Sequence, residues 1–367
     1  MLAKLKTVFE EIAPTIKEFA ESYVKKDKSV DNLTWLMGTL MKSGGVKDNA
    51  EAEKVGQEIF STIDRFTDNL NAIRNTCATG KTKEAWLNEY VMSNTAMTDQ
   101  EKIAYLNQAN FALGMGNQIM QTAIQNPNFD VNAELNKVMQ TATPVGNVAA
   151  NPQNMMALNS QLAQQAVFMG TNGVAYPEAL EIGLQAGQGM PRIFEENIAE
   201  AEDNSPFDNK LKMIASLAIK AGVATGKIPF LSKVLPVGAI TNIACVGVES
   251  AKNLARVATG KIGVSAAVEN IGRASVAAVA DFCATGLPAK LLMPVPVVGP
   301  ALSLAVGGYL ATLSGQTIQK NIFAGINKVQ SAAKSVVKTV GSKLNSLKDF
   351  VFGSSIKNKI LAESKDV

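Results

Sequence analysis

The chain has 367 residues, of which 47% are hydrophobic, 6% aromatic and 18% charged; an ordinary soluble domain carries about 25% charge. Histidine is absent, which removes the commonest general base and metal ligand and with them any conventional Ser-His-Asp triad. The three cysteines, Cys77, Cys245 and Cys283, are too few and too far apart for a disulfide framework or a zinc site, so the sequence predicts a reducing cytoplasm and, with no apolar leader at Met1–Ala20, no signal peptide.

The net charge of +3 conceals a gradient. Residues 1–212 hold 18 basic against 26 acidic side chains, residues 213–319 hold 8 against 3, and residues 320–367 hold 9 against 3. An acidic front and a basic rear imply different surroundings for the two.

The front reads as successive amphipathic helices. Leu5, Val8, Phe9, Ile12, Ile16 and Phe19 recur at helical spacing over 2–27, with Pro14 inside the run. Leu33, Leu36, Met37 and Leu40 mark a second helix over 31–43, ended by Ser43-Gly44-Gly45. Val55 to Ile73 form a long stripe over 48–77, broken at Thr79-Gly80. Thr98-Asp99-Gln100-Glu101 has the form of a capping box opening a helix towards 125. Residues 126–205 loosen into a connector, punctuated by Asn126-Pro127, Thr143-Pro144 and Asn151-Pro152. Glu195, Glu196, Glu200, Glu202 and Asp203 read as a solvated helix end. Ser205-Pro206 then restarts a helix, Ser as cap and Pro in the first turn.

The rear is apolar and rich in small residues. Leu291 to Gln319 contains no charge, and its helix-compatible part, about 298–319, predicts a length of roughly 33 Å, close to the ~30 Å of a hydrocarbon core. Gly299, Ser303, Gly307, Ala311 and Gly315 fall four residues apart and predict a groove for close helix packing. Segments 237–258 and 264–285 are candidate partners, interrupted by Glu249, Lys252 and Arg256 in the first and by Glu269, Arg273 and Asp281 in the second. The string Val-Ala-Thr-Gly-Lys-Ile occurs at 223–228 and at 257–262, with echoes at 77–81 and 283–286; chance in an Ala/Gly-rich chain and a reused helix-end turn both account for it. From Lys320 onward an apolar stripe is flanked by Lys328, Lys334, Lys338 and Lys343, suited to an anionic lipid surface or an acidic protein partner.

Catalytic motifs are missing. Gly80-Lys81-Thr82 lacks the earlier glycine of a phosphate loop, and Gly114-Met115-Gly116 lacks the third glycine of the dinucleotide fingerprint. The Pro/Gly-punctuated lead and small-residue helix of 286–319 resemble in style colicin-like hydrophobic hairpins and the ejection proteins of tailed phages. That resemblance is compositional and transfers no functional residue.

The sequence therefore predicts an all-α, non-enzymatic protein without cofactor or metal. Its parts are an acidic helical domain over 1–125, a connector over 126–205, an apolar Ala/Gly-rich bundle over 206–319 and a basic amphipathic tail over 320–367. The expected partners are a lipid bilayer or other protein subunits, in a homo-oligomer or larger assembly, with nucleic acid disfavoured because the tail's basic residues are all lysine. A pore, delivery or anchor role at a membrane leads; a structural or cargo role in an assembly such as a virion is the rival.

Overall fold

A computed structural model describes residues 2–106, 109, 175–286, 299–315 and 324. The described chain is mostly helical, with no strand; Phe194 and Ser314 form one isolated parallel bridge. The helices are α1 (Leu2–Lys25), α2 (Asn32–Lys42), α3 (Asn49–Ala78), α4 (Lys83–Met92), α5 (Ala175–Ala186), α6 (Pro206–Ala224), α7 (Val237–Ala258), α8 (Val264–Ala284) and α9 (Gly299–Leu313). Residues 99–106 are also helical.

Local chemistry sets the starts. The Asp31 and Asp48 carboxylates accept the Thr34 and Glu51 amides, each at 2.8 Å. At 98–101 the box closes both ways: the Glu101 carboxylate accepts the Thr98 amide at 2.8 Å, and the Thr98 hydroxyl accepts the Glu101 amide at 3.3 Å. Ser205 caps α6 through the Asp208 amide at 3.2 Å, with Pro206 at the first position.

The repeated string is a helix stop used four times. In α3, α6, α7 and α8 the last helical residue is alanine, the cap is threonine, and the next residue is a left-handed glycine: Gly80, Gly226, Gly260 and Gly286, with φ of 90°, 74°, 74° and 63°. Each threonine hydroxyl donates back to a carbonyl of the last turn, as from Thr285 to Asp281 at 2.8 Å. Two donors thus satisfy carbonyls that a helix end leaves open.

Helices from both sides of residue 205 share one hydrophobic core. α9 lies at its centre, between α7 and α5, with α6 and α1 also against it. Every described side chain from Ala301 to Gly315 is buried. An uncharged helix with apolar residues all round has to be covered by something, and here the rest of the chain covers it.

Two expectations are corrected. The apolar helix ends at Leu313 rather than near 319, so its 15 residues reach about 22 Å. Among the described residues no helix is long and apolar enough to cross a membrane. The acidic run at 195–203 is not a helix end either: residues 187–205 form a strap of turns and bends between α5 and α6. The calls on residues 110–174 and on Lys328, Lys334, Lys338 and Lys343 lie outside the described residues.

Candidate functional site

Two features stand out, and they meet along α7. The first is the bed of α9. A methyl group placed on Gly247 of α7 would lie 2.0 Å from the Ser303 Cβ and 2.5 Å from the Ser303 carbonyl carbon. One placed on Gly307 would lie 2.8 Å from the Ala251 Cβ, and Gly299 faces Ile243 as closely. Gly299, Ser303 and Gly307 therefore turn the same edge to α7. Ala311 is buried at the end of the helix, while Gly315 lies beyond it with φ of 73°, against Asn197.

The opposite face of α9 is as tight. A methyl on Gly183 would lie 2.0 Å from the Ala305 carbonyl oxygen, and Gly308 abuts the Leu180 carbonyl. The sequence carries a signal for this face too, since Gly183 and Gly187 stand four apart, within the stretch whose turn residues predict a connector. With small residues on both sides, α9 is packed backbone to backbone between α5 and α7.

The second feature is a buried ionic cluster. The Lys252 ammonium of α7 donates to three carboxylates: Asp203 at 2.5 Å, Asp208 at 2.8 Å and Glu249 at 2.8 Å. Three donors meet three acceptors, the full capacity of the group. Lys212 of α6 lies beside it, 2.7 Å from Asp208 and 3.0 Å from Glu249, with its ammonium 5.3 Å from the centre of the Phe66 ring. Arg74 of α3 closes the cluster at 2.5 Å from Asp203 and 3.8 Å from Glu249. Three cations face three anions, so the cluster is neutral. Lys212, Lys252 and Asp208 have no exposed side-chain surface, and Glu249 has 1%.

Burial alone would push the Glu249 carboxyl up, but Lys252 and Lys212 outweigh it and hold it well below the ordinary carboxylate range. Burial likewise lowers both lysines, and the Glu249 and Asp208 charges outweigh it and hold both ammoniums above their ordinary value. Asp203, Asp208 and Glu249 bring one oxygen each within 4.8 Å of one another, a spacing that suits a metal ion. The Lys252 ammonium already sits among those oxygens, and a metal would have to displace a cation whose charge the site favours. The cation of this tripod is the lysine.

The other charges that interrupt the apolar segments are also partnered. Arg256 donates to the Ala201 carbonyl at 2.6 Å, Glu269 pairs with Lys83 at 2.8 Å, and Arg273 with Glu269 at 3.3 Å. Asp281 takes Arg65 of α3 at 2.5 Å and the Asn242 amide at 2.6 Å. Most of these partners come from the front helices or the strap.

A depressed carboxyl contributes stability that is present above its unfolded value of about 4.3 and is lost as pH falls below it. A raised lysine contributes stability that is present below its unfolded value of about 10.4 and is lost only as pH rises through the folded one. Histidine, the side chain that ordinarily titrates near neutrality, is absent from the chain, and burial pushes the Cys245 and Cys283 thiols up. The urea midpoint is expected to stay level from about pH 5 to 9 and to fall below about pH 4. A midpoint that steps between pH 6 and 8 would contradict this assignment.

Compared with protein-family models, with curated proteins and with solved structures, the chain matches none.

Proposed function

We propose that the protein is a non-enzymatic, membrane-associating helical protein that keeps its most apolar helix stored inside a closed bundle. The observation that carries this reading is α9: a helix without a single charge, buried along its described length and sheathed by amphipathic helices. The large apolar side chains exposed on the described surface, Val24, Met41, Met92, Ile103 and Val234, come from separate places along the chain. Among the described residues, an apolar helix for a bilayer would have to come from within the bundle. At about 22 Å, α9 serves as one member of an inserting group rather than as a lone span.

Lys328, Lys334, Lys338 and Lys343 supply the first contact with an anionic lipid surface, each worth about 1 kcal/mol close to it. The test is co-sedimentation of the full chain with phosphatidylserine-containing vesicles. Wild type is expected in the pellet, and replacing the four lysines by glutamine is expected to lower partitioning at least tenfold. Full recovery of wild type in the supernatant would sink the reading.

That outcome would favour the rival role, a structural or cargo subunit of a large assembly. Its support is that α5 and α7 already fill both faces of α9, so the described bundle is complete without lipid. A homo-oligomer or other protein subunits would then be the partners.

A further inference from the structure

The strap joins every part of the site. At the C-terminal end of α9 the Leu313 carbonyl accepts two amides, from Ile193 and from Phe194, both at 2.8 Å. Phe194 bridges to Ser314, is 2% exposed, and meets the Phe207 ring edge-on at 5.9 Å. Gly315 packs on Asn197. The helix end cannot leave its place while this segment lies across it.

Beyond that crossing the strap is tied down by cations from three other elements. Arg256 of α7 donates to the Ala199 and Ala201 carbonyls at 3.3 and 2.6 Å. Asp203 is held by Lys252 of α7 and Arg74 of α3, and Glu196 by Lys210 of α6 at 3.4 Å. Lys261, just after α7, pairs with Glu200 at 3.2 Å. The last two pairs are at the surface and contribute little; Arg256 and the Asp203 pairs are the anchors. A segment of turns has few hydrogen bonds of its own, so it opens at a lower free energy than the helices it crosses.

We infer that residues 190–205 are a latch whose opening precedes any exposure of α9, with Arg256 and Asp203 as its anchors. This goes beyond the bilayer reading, because it concerns how the closed bundle is held whatever then receives the helix.

The experiment is hydrogen exchange by mass spectrometry on the full chain, without lipid. Arg256→Gln is expected to speed exchange at least tenfold in the strap and in 299–313 together, leaving α3 unchanged. Strap exchange that rises alone, or α3 exchange that rises equally, would overturn the latch. Should Arg256→Gln fail to fold, the Asn197→Cys/Gly315→Cys pair decides, in a Cys77→Ser background. A Cβ at 315 lies 2.9 Å from the Asn197 Cβ, about 1 Å inside the usual disulfide spacing; the strain of a cysteine at the left-handed φ of 73° is common to the reduced and oxidised forms and cancels in their comparison. Oxidation is expected to slow exchange in 299–313 at least tenfold relative to the reduced form, with α3 unaffected; equal rates in the two forms would overturn the proposal.

Discussion

Gly247→Ala is expected to destabilise the protein by about 3 kcal/mol, at the upper end of the usual cost of overpacking. The added methyl would lie 2.0 Å from the Ser303 Cβ, and 2.5 and 2.7 Å from the Ser303 carbonyl carbon and Cα. Two of those atoms are backbone, so no rotamer change relieves the clash, and α7 and α9 must separate along their contact. For the same reason Ser303→Gly should rescue Gly247→Ala only in part. Gly38→Ala is the matched control. Gly38 lies in α2, is exposed, and has nothing within 4 Å of an added methyl, so the better helix former should stabilise by about 0.5–1 kcal/mol. Urea denaturation of the three variants reads the contrast. A loss below 1 kcal/mol for Gly247→Ala would mean that the helices are not in backbone contact.

Lys252→Met should cost still more, about 3–5 kcal/mol, the range for breaking a buried ion pair from one side. The substitution keeps an unbranched apolar stem as far as Cε and removes the ammonium, leaving three carboxylates to Lys212 and Arg74. Neutrality can be restored by adding Glu249→Gln, and the double variant should recover more than half of the loss. Acid should also narrow the gap. Without Lys252, the Glu249 carboxyl loses the larger of the two lysine influences that hold its proton affinity low, so it takes up a proton at higher pH and the orphaned charge disappears. The difference in unfolding free energy from wild type is therefore expected to shrink as pH falls from 7 to 4. A constant gap would point to lost packing rather than lost charge.

Much of the fold was legible because its signals are local. Helix boundaries at 237 and 258, the box at Thr98–Glu101 and the cap at Ser205 rest on residues within four positions of one another. The column Gly299, Ser303 and Gly307 was likewise readable, since one helix carries it. The ionic cluster was not. Lys252 meets Asp208 and Asp203 from 44 and 49 residues away, and along the chain Glu249 and Lys252 look only like defects in an apolar run. Asp203 was absorbed into an acidic stretch whose other members do face water. The strap escaped for a further reason: a segment held by other elements has no periodicity of its own.

The four-residue repeat of α9 has a mechanical corollary. A row of nearly equal small side chains forms notches four residues, about 6 Å, apart; on the α7 side, sliding α9 by one notch would set Gly299 or Gly307 opposite Gly247 in place of Ser303. The row by itself is thus a ratchet track with no preferred tooth. What fixes the tooth is the α5 side, where the same slide would bring Leu304 or Thr312 to the place where Gly308 abuts the Leu180 carbonyl, together with the pawl at the far end, where the Leu313 carbonyl is held by the amides of Ile193 and Phe194.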